Sequence, residues 1–167
     1  MKPFRFCPSC AARLERTDHE GALRCPRCGR AWYRNPVPTV GCVIVRAGRA
    51  LVTVRAGEPH KGQVDVPGGF LHLGEDPVQG LKREVAEELG VEVEATDDDF
   101  VQCVAHRYDE DGEWLVSMGY RARLLRGDPR PSDDVAAIQW VSPEKVGDLD
   151  FAWPHDRELV TKVLASE

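Results

Sequence analysis

The chain has 167 residues, of which 42% are apolar, 30% charged and 7% aromatic, with a formal net charge of −6. That length allows one domain, or one domain and a small module, with a core able to bury about 70% of the unfolded surface. Fifteen Gly and twelve Pro are too few for a fibre, and no apolar run nears the ~18 residues of a membrane helix. The N-terminal MKPFRFCPSC lacks the apolar centre of a secretory signal, so a soluble protein of the cytoplasm with no membrane partner is expected. The charge is uneven. Residues 1–38 carry eight Lys/Arg against three Asp/Glu, whereas the remainder is strongly acidic. Four thiolates on one Zn²⁺ would remove two of those positive charges, leaving about three, too few for a polyanion footprint by itself.

Four of six cysteines stand in the spacing C-x2-C-x14-C-x2-C: Cys7, Cys10, Cys25 and Cys28. Each C-x-x-C sets two sulfurs on one tight turn, and two such turns complete a tetrahedral structural Zn²⁺ site with Zn–S near ~2.3 Å. Disulfides, a redox pair and rubredoxin-like iron are the other readings of this pattern. Arg13–His19 and Ala22–Arg24 read as a hairpin turning at Glu20-Gly21. A module below ~40 residues generally needs such a metal staple.

Asn35-Pro36-Val37-Pro38 reads as an extended linker, since each Pro restrains itself and its predecessor. Thr39–Arg46 and Ala50–Arg55 read as strands joined at Ala47-Gly48, and Val64–Val66 as a short strand ending in a loop at Pro67-Gly68-Gly69. Asp76 and Pro77 open a helix that Gly90 closes. Val91–Ala95, Phe100–Tyr108, Trp114–Leu125 and Ile138–Val141 follow as strands, with Asp109–Glu113 an acidic hairpin tip; Pro143–Leu149 and His155–Ala165 read as late helices. Cys42 and Cys103 are read as buried small apolar residues. The mixture suggests α+β or an α/β/α sandwich.

At ~100° per residue, Val78, Leu81, Val85 and Leu89 share one helical stripe, while Glu84, Glu87 and Glu88 crowd a second face. Three carboxylates within one turn repel one another, and divalent cations would reverse that sign. By itself the pattern would sooner suit a solvated acidic face. The whole segment decides: GFLHLGEDPVQGLKREVAEELGV from Gly69 to Val91 resembles the Nudix box G-x5-E-x7-R-E-U-x-E-E-x-G-U. Gly69, Glu75, Arg83, Glu84, Val85, Glu87, Glu88, Gly90 and Val91 match every fixed position.

Resemblance to the Nudix hydrolase family implies an α/β/α sandwich with a mixed sheet over residues 37–167, preceded by a zinc ribbon over residues 1–36. It implies Mg²⁺- or Mn²⁺-dependent hydrolysis of a nucleoside diphosphate linked to another group, such as NADH, ADP-ribose or FAD. It assigns metal ligation to Glu84, Glu87, Glu88 and the Gly69 carbonyl, and pairs Glu75 with Arg83. The general base stays open among Glu84, Glu110, Glu113, Asp133 and Asp134. A ribbon followed by such a domain resembles the NADH pyrophosphatase branch, although CVAHRYDEDGEWLVSMGY lacks that branch's S-Q-P-W-type motif.

Arg55 and Lys61 are candidate phosphate-facing cations, and Phe70 and Tyr108 candidate substrate contacts. Trp32 and Tyr33 are read as a seal between ribbon and catalytic domain, and Trp114, Trp140 and Trp153 as core or interface. His72 is read as a solvated loop residue near the metals. The expected partners are a small nucleotide and a second copy of the chain; the basic ribbon keeps RNA contact as a weaker reading, alongside a nucleotide-sensing regulator without turnover.

Overall fold

The computed structural model describes residues 5–16, 22–33, 35–110 and 112–167. The expected turn at Glu20-Gly21 lies outside them. The N-terminal module is a three-stranded antiparallel sheet, β1 (Glu15–Arg16), β2 (Leu23–Arg24) and β3 (Ala31–Trp32), in that order. Cys7, Leu14, Leu23 and Cys25 form its small core, and Trp32 packs on this core. Tyr33 is 55% exposed, so it forms no seal.

The second sheet is built from β4 (Val37–Arg46), β5 (Arg49–Arg55), β6 (Val64–Asp65), β7 (Gly68–Phe70), β8 (Glu92–Glu94), β9 (Phe100–Arg107), β10 (Trp114–Arg126) and β11 (Val135–Val141). Its order is β11-β5-β4-β10-β8, with β6 on β5, β7 on β4 and β9 on β10. β4 and β10 run parallel, Val37 opposite Leu115 through Ile44 opposite Ala122. The other pairings are antiparallel, so the sheet is mixed. The linker proline Pro38 already belongs to β4.

Strand β4 reads VPTVGCVIVR because both of its faces are covered. Val40, Cys42 and Ile44 join the core under helix α1 (Pro77–Leu89). Val43 joins the core under helix α2 (Pro154–Ala165). Leu81, Val85 and Leu89 of α1 are fully buried, each contributing ~1.5–3 kcal/mol. Leu159, Val160 and Val163 do the same on the opposite face. The result is the expected three-layer α/β/α sandwich. Helix α1 starts and stops as its sequence dictates: Asp76 accepts a hydrogen bond from the Val78 N–H, and Gly90 ends it in the left-handed region at φ 65°.

Three elements differ from expectation. Gly68–Phe70 is a strand on β4, not a loop. A Cβ at Gly68 would lie 2.1 Å from the Val40 carbonyl oxygen, so only glycine lets the two backbones approach this closely. Pro143–Asp148 is a 3₁₀ segment rather than a helix. Cys103 is exposed, because among the described residues β9 pairs with no strand but β10 and its outward residues meet solvent; Cys42, on a central strand, is buried as expected.

Candidate active site

Helix α1 carries its carboxylates against the strand that precedes it. Gly68 donates its N–H to Glu88 Oε2 at 2.9 Å. A Cβ on Gly69 would lie 2.6 Å from the Glu84 carboxyl group, so the missing side chain is what admits that carboxylate. Glu84 and Glu88 therefore both face one cleft, four residues apart on the helix. Glu87 is half exposed, is paired with Arg83 and does not line the cleft.

Arg83 organises this turn. Its Nε and Nη2 donate to Glu75 at 2.8 and 2.9 Å, its Nη1 to Glu84 at 2.8 Å and Glu87 at 3.0 Å, and Nη2 also to the Phe70 carbonyl at 3.0 Å. All five guanidinium N–H groups can thus be engaged. Arg83 holds the Glu75 carboxyl down to about 2, helped by the His72 N–H. The loop from Phe70 to Glu75 is tied to the helix by this fork. Expectation and geometry agree here.

A second loop completes the acidic wall. Ser132 N–H donates to the Glu88 carbonyl at 2.8 Å, and Arg130 N–H to the Leu89 carbonyl at 3.1 Å. These bonds satisfy carbonyls at the end of α1 and bring Asp133 and Asp134 into the cleft. Burial pushes Glu88 up to about 9, with the charges of Asp134, Asp65 and Glu84 adding to the rise. Burial likewise raises Glu84. Of the candidate bases, Glu84, Asp133 and Asp134 line the cleft; Glu110 and Glu113 do not.

The cleft has a volume of about 230 Å³ and opens to solvent at its mouth. Phe70 and Tyr108 stand on its wall, edge to face with ring centroids 5.8 Å apart. Trp153 joins them, stacked on Tyr108 at 5.7 Å, instead of lying in a core or interface. Arg55 also lines the cleft, but its Nη1 is bound to Asp65 at 2.8 Å and its Nε to the Pro59 carbonyl at 2.8 Å. It is committed within the protein rather than free for phosphate. Lys61 is exposed and does not line the cleft, because the turn after β5 carries it outward. His72 is exposed at the cleft edge.

The pattern reading missed Asp65, His106, His155 and Asp156, all of which line the cleft. The one local signal was the pairing of a buried strand with a charged residue, VDV at 64–66.

In the N-terminal module, the sulfurs of Cys7, Cys10, Cys25 and Cys28 all lie within 4.8 Å of one another. Cys7–Cys28 and Cys10–Cys25 are 3.7 and 3.4 Å apart, and all four are free thiols rather than disulfides. A tetrahedral ion with ~2.3 Å Zn–S bonds spaces its sulfurs at ~3.8 Å, so the cluster fits. The two turns are built alike: Ala11 and Gly29 take φ 57° and 72° and donate N–H to the Cys7 and Cys25 carbonyls at 2.8 and 2.9 Å. Burial opposes ionisation of Cys7, but the backbone hydrogen bonds of Ser9 and Cys10 outweigh it and hold the thiol down to about 6. Cys25 is lowered too, chiefly by the Cys28 N–H.

A strand, a tied loop and a helix that gathers carboxylates into a cleft, on a three-layer mixed sheet, define a hydrolase of the Nudix type. The chain belongs to the Nudix family: the NUDIX domain model matches residues 35–163. The chain is 29% identical over 166 residues to the NAD-capped RNA hydrolase NudC of Pseudomonas aeruginosa, covering 96% of this chain and 56% of that protein. It therefore spans little more than half the length of this relative. It is 31% identical to a MutT-like protein of Streptomyces ambofaciens, over 72% of this chain and 81% of the other. Among solved structures, a NUDIX hydrolase from Nitrosomonas europaea superposes with a TM-score of 0.77 at 26% identity, covering 98% of this chain and 92% of that one.

Proposed function

We propose that the chain hydrolyses the pyrophosphate bond of a nucleoside diphosphate linked to another group, in a reaction dependent on Mg²⁺ or Mn²⁺. One observation carries this reading: Glu84, Glu88 and Asp134 converge in one cleft, where their like charges act on one another, and the single guanidinium beside them is shared among Glu75, Glu84 and Glu87. A divalent ion is the group that resolves such a cluster. Glu84, Glu88 and the Gly69 carbonyl would hold it, with Glu87 beside them on the same helical turn. Bound there, the ion would offset charge developing on the phosphate oxygens and ease deprotonation of water.

The chain's own residues do the remainder. Asp134, Asp133 or Glu84 accepts the proton of the attacking water on a carboxylate oxygen as its oxygen bonds to phosphorus and the bridging bond breaks. The Glu75–Arg83 fork keeps the Gly69 carbonyl and the Glu84 carboxylate in register. The four cysteines hold a structural Zn²⁺ that closes the module of residues 1–36, leaving residues 37–167 as the catalytic domain.

Dinucleotides such as NADH, with ADP-ribose and FAD, are the first substrates to test, a choice supported by the likeness to a relative named for NAD caps. The same likeness keeps RNA contact on the ribbon within the proposal, together with a homodimer and a cytoplasmic setting. The deciding experiment is a hydrolysis panel of NADH, ADP-ribose, FAD, diadenosine tetraphosphate and nucleoside triphosphates with Mg²⁺ or Mn²⁺, products identified by mass. Metal-dependent cleavage lost in Glu88→Gln supports the enzyme. Silence across the panel in folded, zinc-loaded protein overturns it in favour of a nucleotide-sensing regulator.

A further inference from the structure

Three polar side chains form a row where the sheet lines the cleft, each on a different strand. Thr39 of β4 stands opposite Ser117 of β10 in the parallel pairing, and His106 of β9 stands opposite Leu115, two residues from Ser117, so all three project from one face. Thr39 Oγ1 and Ser117 Oγ are 2.6 Å apart, Ser117 Oγ and His106 Nε2 are 2.7 Å apart, and His106 Nδ1 lies 2.9 Å from the Arg107 carbonyl oxygen. Each of the three lines the cleft.

The last of these contacts fixes the direction of the others. A carbonyl oxygen only accepts, so Nδ1 carries the ring proton. Burial holds His106 below its ordinary 6.5, so at neutral pH the imidazole has one N–H and Nε2 is a bare lone pair. Ser117 therefore donates its hydroxyl proton to Nε2. With that proton spent, the 2.6 Å contact is a hydrogen bond only if Thr39 donates to Ser117. Both hydroxyl protons thus point along the row towards His106, and Thr39 and Ser117 turn only oxygen lone pairs to the cleft.

Such a row repels phosphate, whose oxygens are themselves acceptors, and takes a group that brings a proton. Its place narrows the group further. Thr39 pairs with Phe70, the residue after Gly69, so the row begins beside the backbone that the pyrophosphate reading gives to the metal. The part of a nucleoside diphosphate that adjoins its phosphates and carries O–H donors is the sugar. We propose that Thr39, oriented through Ser117 and His106, is the acceptor that reads a sugar hydroxyl of the substrate, and that this chain thereby selects hydroxyl-bearing over deoxy ligands. The inference deepens the pyrophosphate reading and rests on it only for where the phosphates lie. Thr39 contacts the ligand; Ser117 and His106 are positioning residues.

Two measurements test it without turnover. The first follows the imidazole nitrogens of ¹⁵N-histidine-labelled protein in EDTA near pH 8, with His106 assigned from His106→Gln. His106 should show a protonated Nδ1 and a bare Nε2, and Ser117→Ala should move the Nε2 signal by removing its donor. The second is calorimetric titration, in Mg²⁺, of α,β-methylene-ADP and its 2′,3′-dideoxy analogue. The parent should bind the hydroxyl-bearing probe about tenfold or more tightly than the dideoxy one. Thr39→Val keeps the shape without the acceptor and should bring the two probes within about threefold, while Thr39→Ser should restore the preference.

A protonated Nε2 on His106 would overturn the order of the row. Equal affinity of the parent for the two probes, binding of neither, or a preference kept in Thr39→Val would overturn the hydroxyl reading. If Thr39→Val does not fold, Ser117→Ala decides in its place: it frees the Thr39 proton to turn to the cleft and should cut the preference about threefold or more. A preference lost as expected, in a protein that cleaves no dinucleotide, would leave the row standing and sink the catalytic reading. Cleavage of the dinucleotide panel by a protein indifferent to the two probes would do the reverse.

Discussion

Replacing Glu88 by Gln sets stability against function at one atom pair. Glu88 is 6% exposed, and burial, then the charges of Asp134, Asp65 and Glu84, push it up to about 9 from an ordinary 4.5. A carboxyl group raised in this direction favours the folded state fully below pH 4.5, and that contribution is lost as pH rises towards 9, because the folded protein holds a proton that the unfolded chain has released. Between 4.5 and pH 7.5 lie three units, which at ~1.36 kcal/mol each amount to at most about 4 kcal/mol. Gln has nearly the same volume, never ionises and still accepts the Gly68 N–H on its amide oxygen. In EDTA, Glu88→Gln should therefore be more stable than the parent at pH 7.5, by ~2–4 kcal/mol in urea unfolding, with the gap closing as pH approaches 4.5. Saturating Mg²⁺ should stabilise the parent and leave the variant almost unmoved, while turnover in the variant falls by about a hundredfold or more. Equal stability of the two proteins at every pH in EDTA would refute the electrostatic cost assigned to Glu88. An equal Mg²⁺ response in both would refute its part in holding a metal.

Four further variants test the geometry. Arg83→Lys replaces a five-donor fork by a three-donor point charge, so kcat/KM should fall about ten- to a hundredfold with no more than ~1–3 kcal/mol lost in unfolding, both read on the same preparation. Gly69→Ala puts a Cβ against the movable end of Glu84 and should keep the fold within about 1 kcal/mol while lowering turnover at least tenfold. Its neighbour Gly68→Ala puts a Cβ 2.1 Å from the Val40 carbonyl oxygen and should instead cost more than ~3 kcal/mol of stability; matching melting curves for the two variants would contradict the β4–β7 approach. Cys25→Ser should lose the zinc found by elemental analysis of the parent and expose residues 1–38 to protease, with the later residues still resistant. Full zinc occupancy in that variant would remove the four-thiolate site.

The parts of the molecule that could be read along the chain are those whose partners lie close in sequence. Glu75 and Arg83 are eight residues apart, and Glu84 and Glu88 sit one helical turn apart, so spacing alone carries their relation. The C-x-x-C turns are local in the same way. Tyr108 and Phe70 were named as substrate contacts one at a time, and the structure brings them edge to face. Arg55 and Lys61 were named as phosphate cations on charge alone, and neither is free in the cleft for that work. A lone basic residue in a sequence does not reveal whether a carboxylate such as Asp65 waits beside it.

By itself, then, the sequence determined the family segment, the helix with its caps and the tetrad of cysteines, since each of these obeys a short-range periodicity or spacing. Only the tertiary structure decided which carboxylates share the cleft. Asp65, Asp134 and Asp156 come from β6, the loop before β11 and the start of α2; Asp134 was a candidate on its charge and Asp65 stands out only within VDV, and no spacing along the chain ties any of the three to the box. The parallel pairing of β4 with β10 and the docking of α2 beside β9 bring them together. It also decided that Cys42 is sealed and Cys103 is not, because burial of a strand residue depends on what covers its face, and β9 stands at an edge that β4 does not. Long-range placement of this kind is a property of the packed layers, which is why Trp153 reads as core or interface along the chain and stands in the wall of the site once the chain is folded.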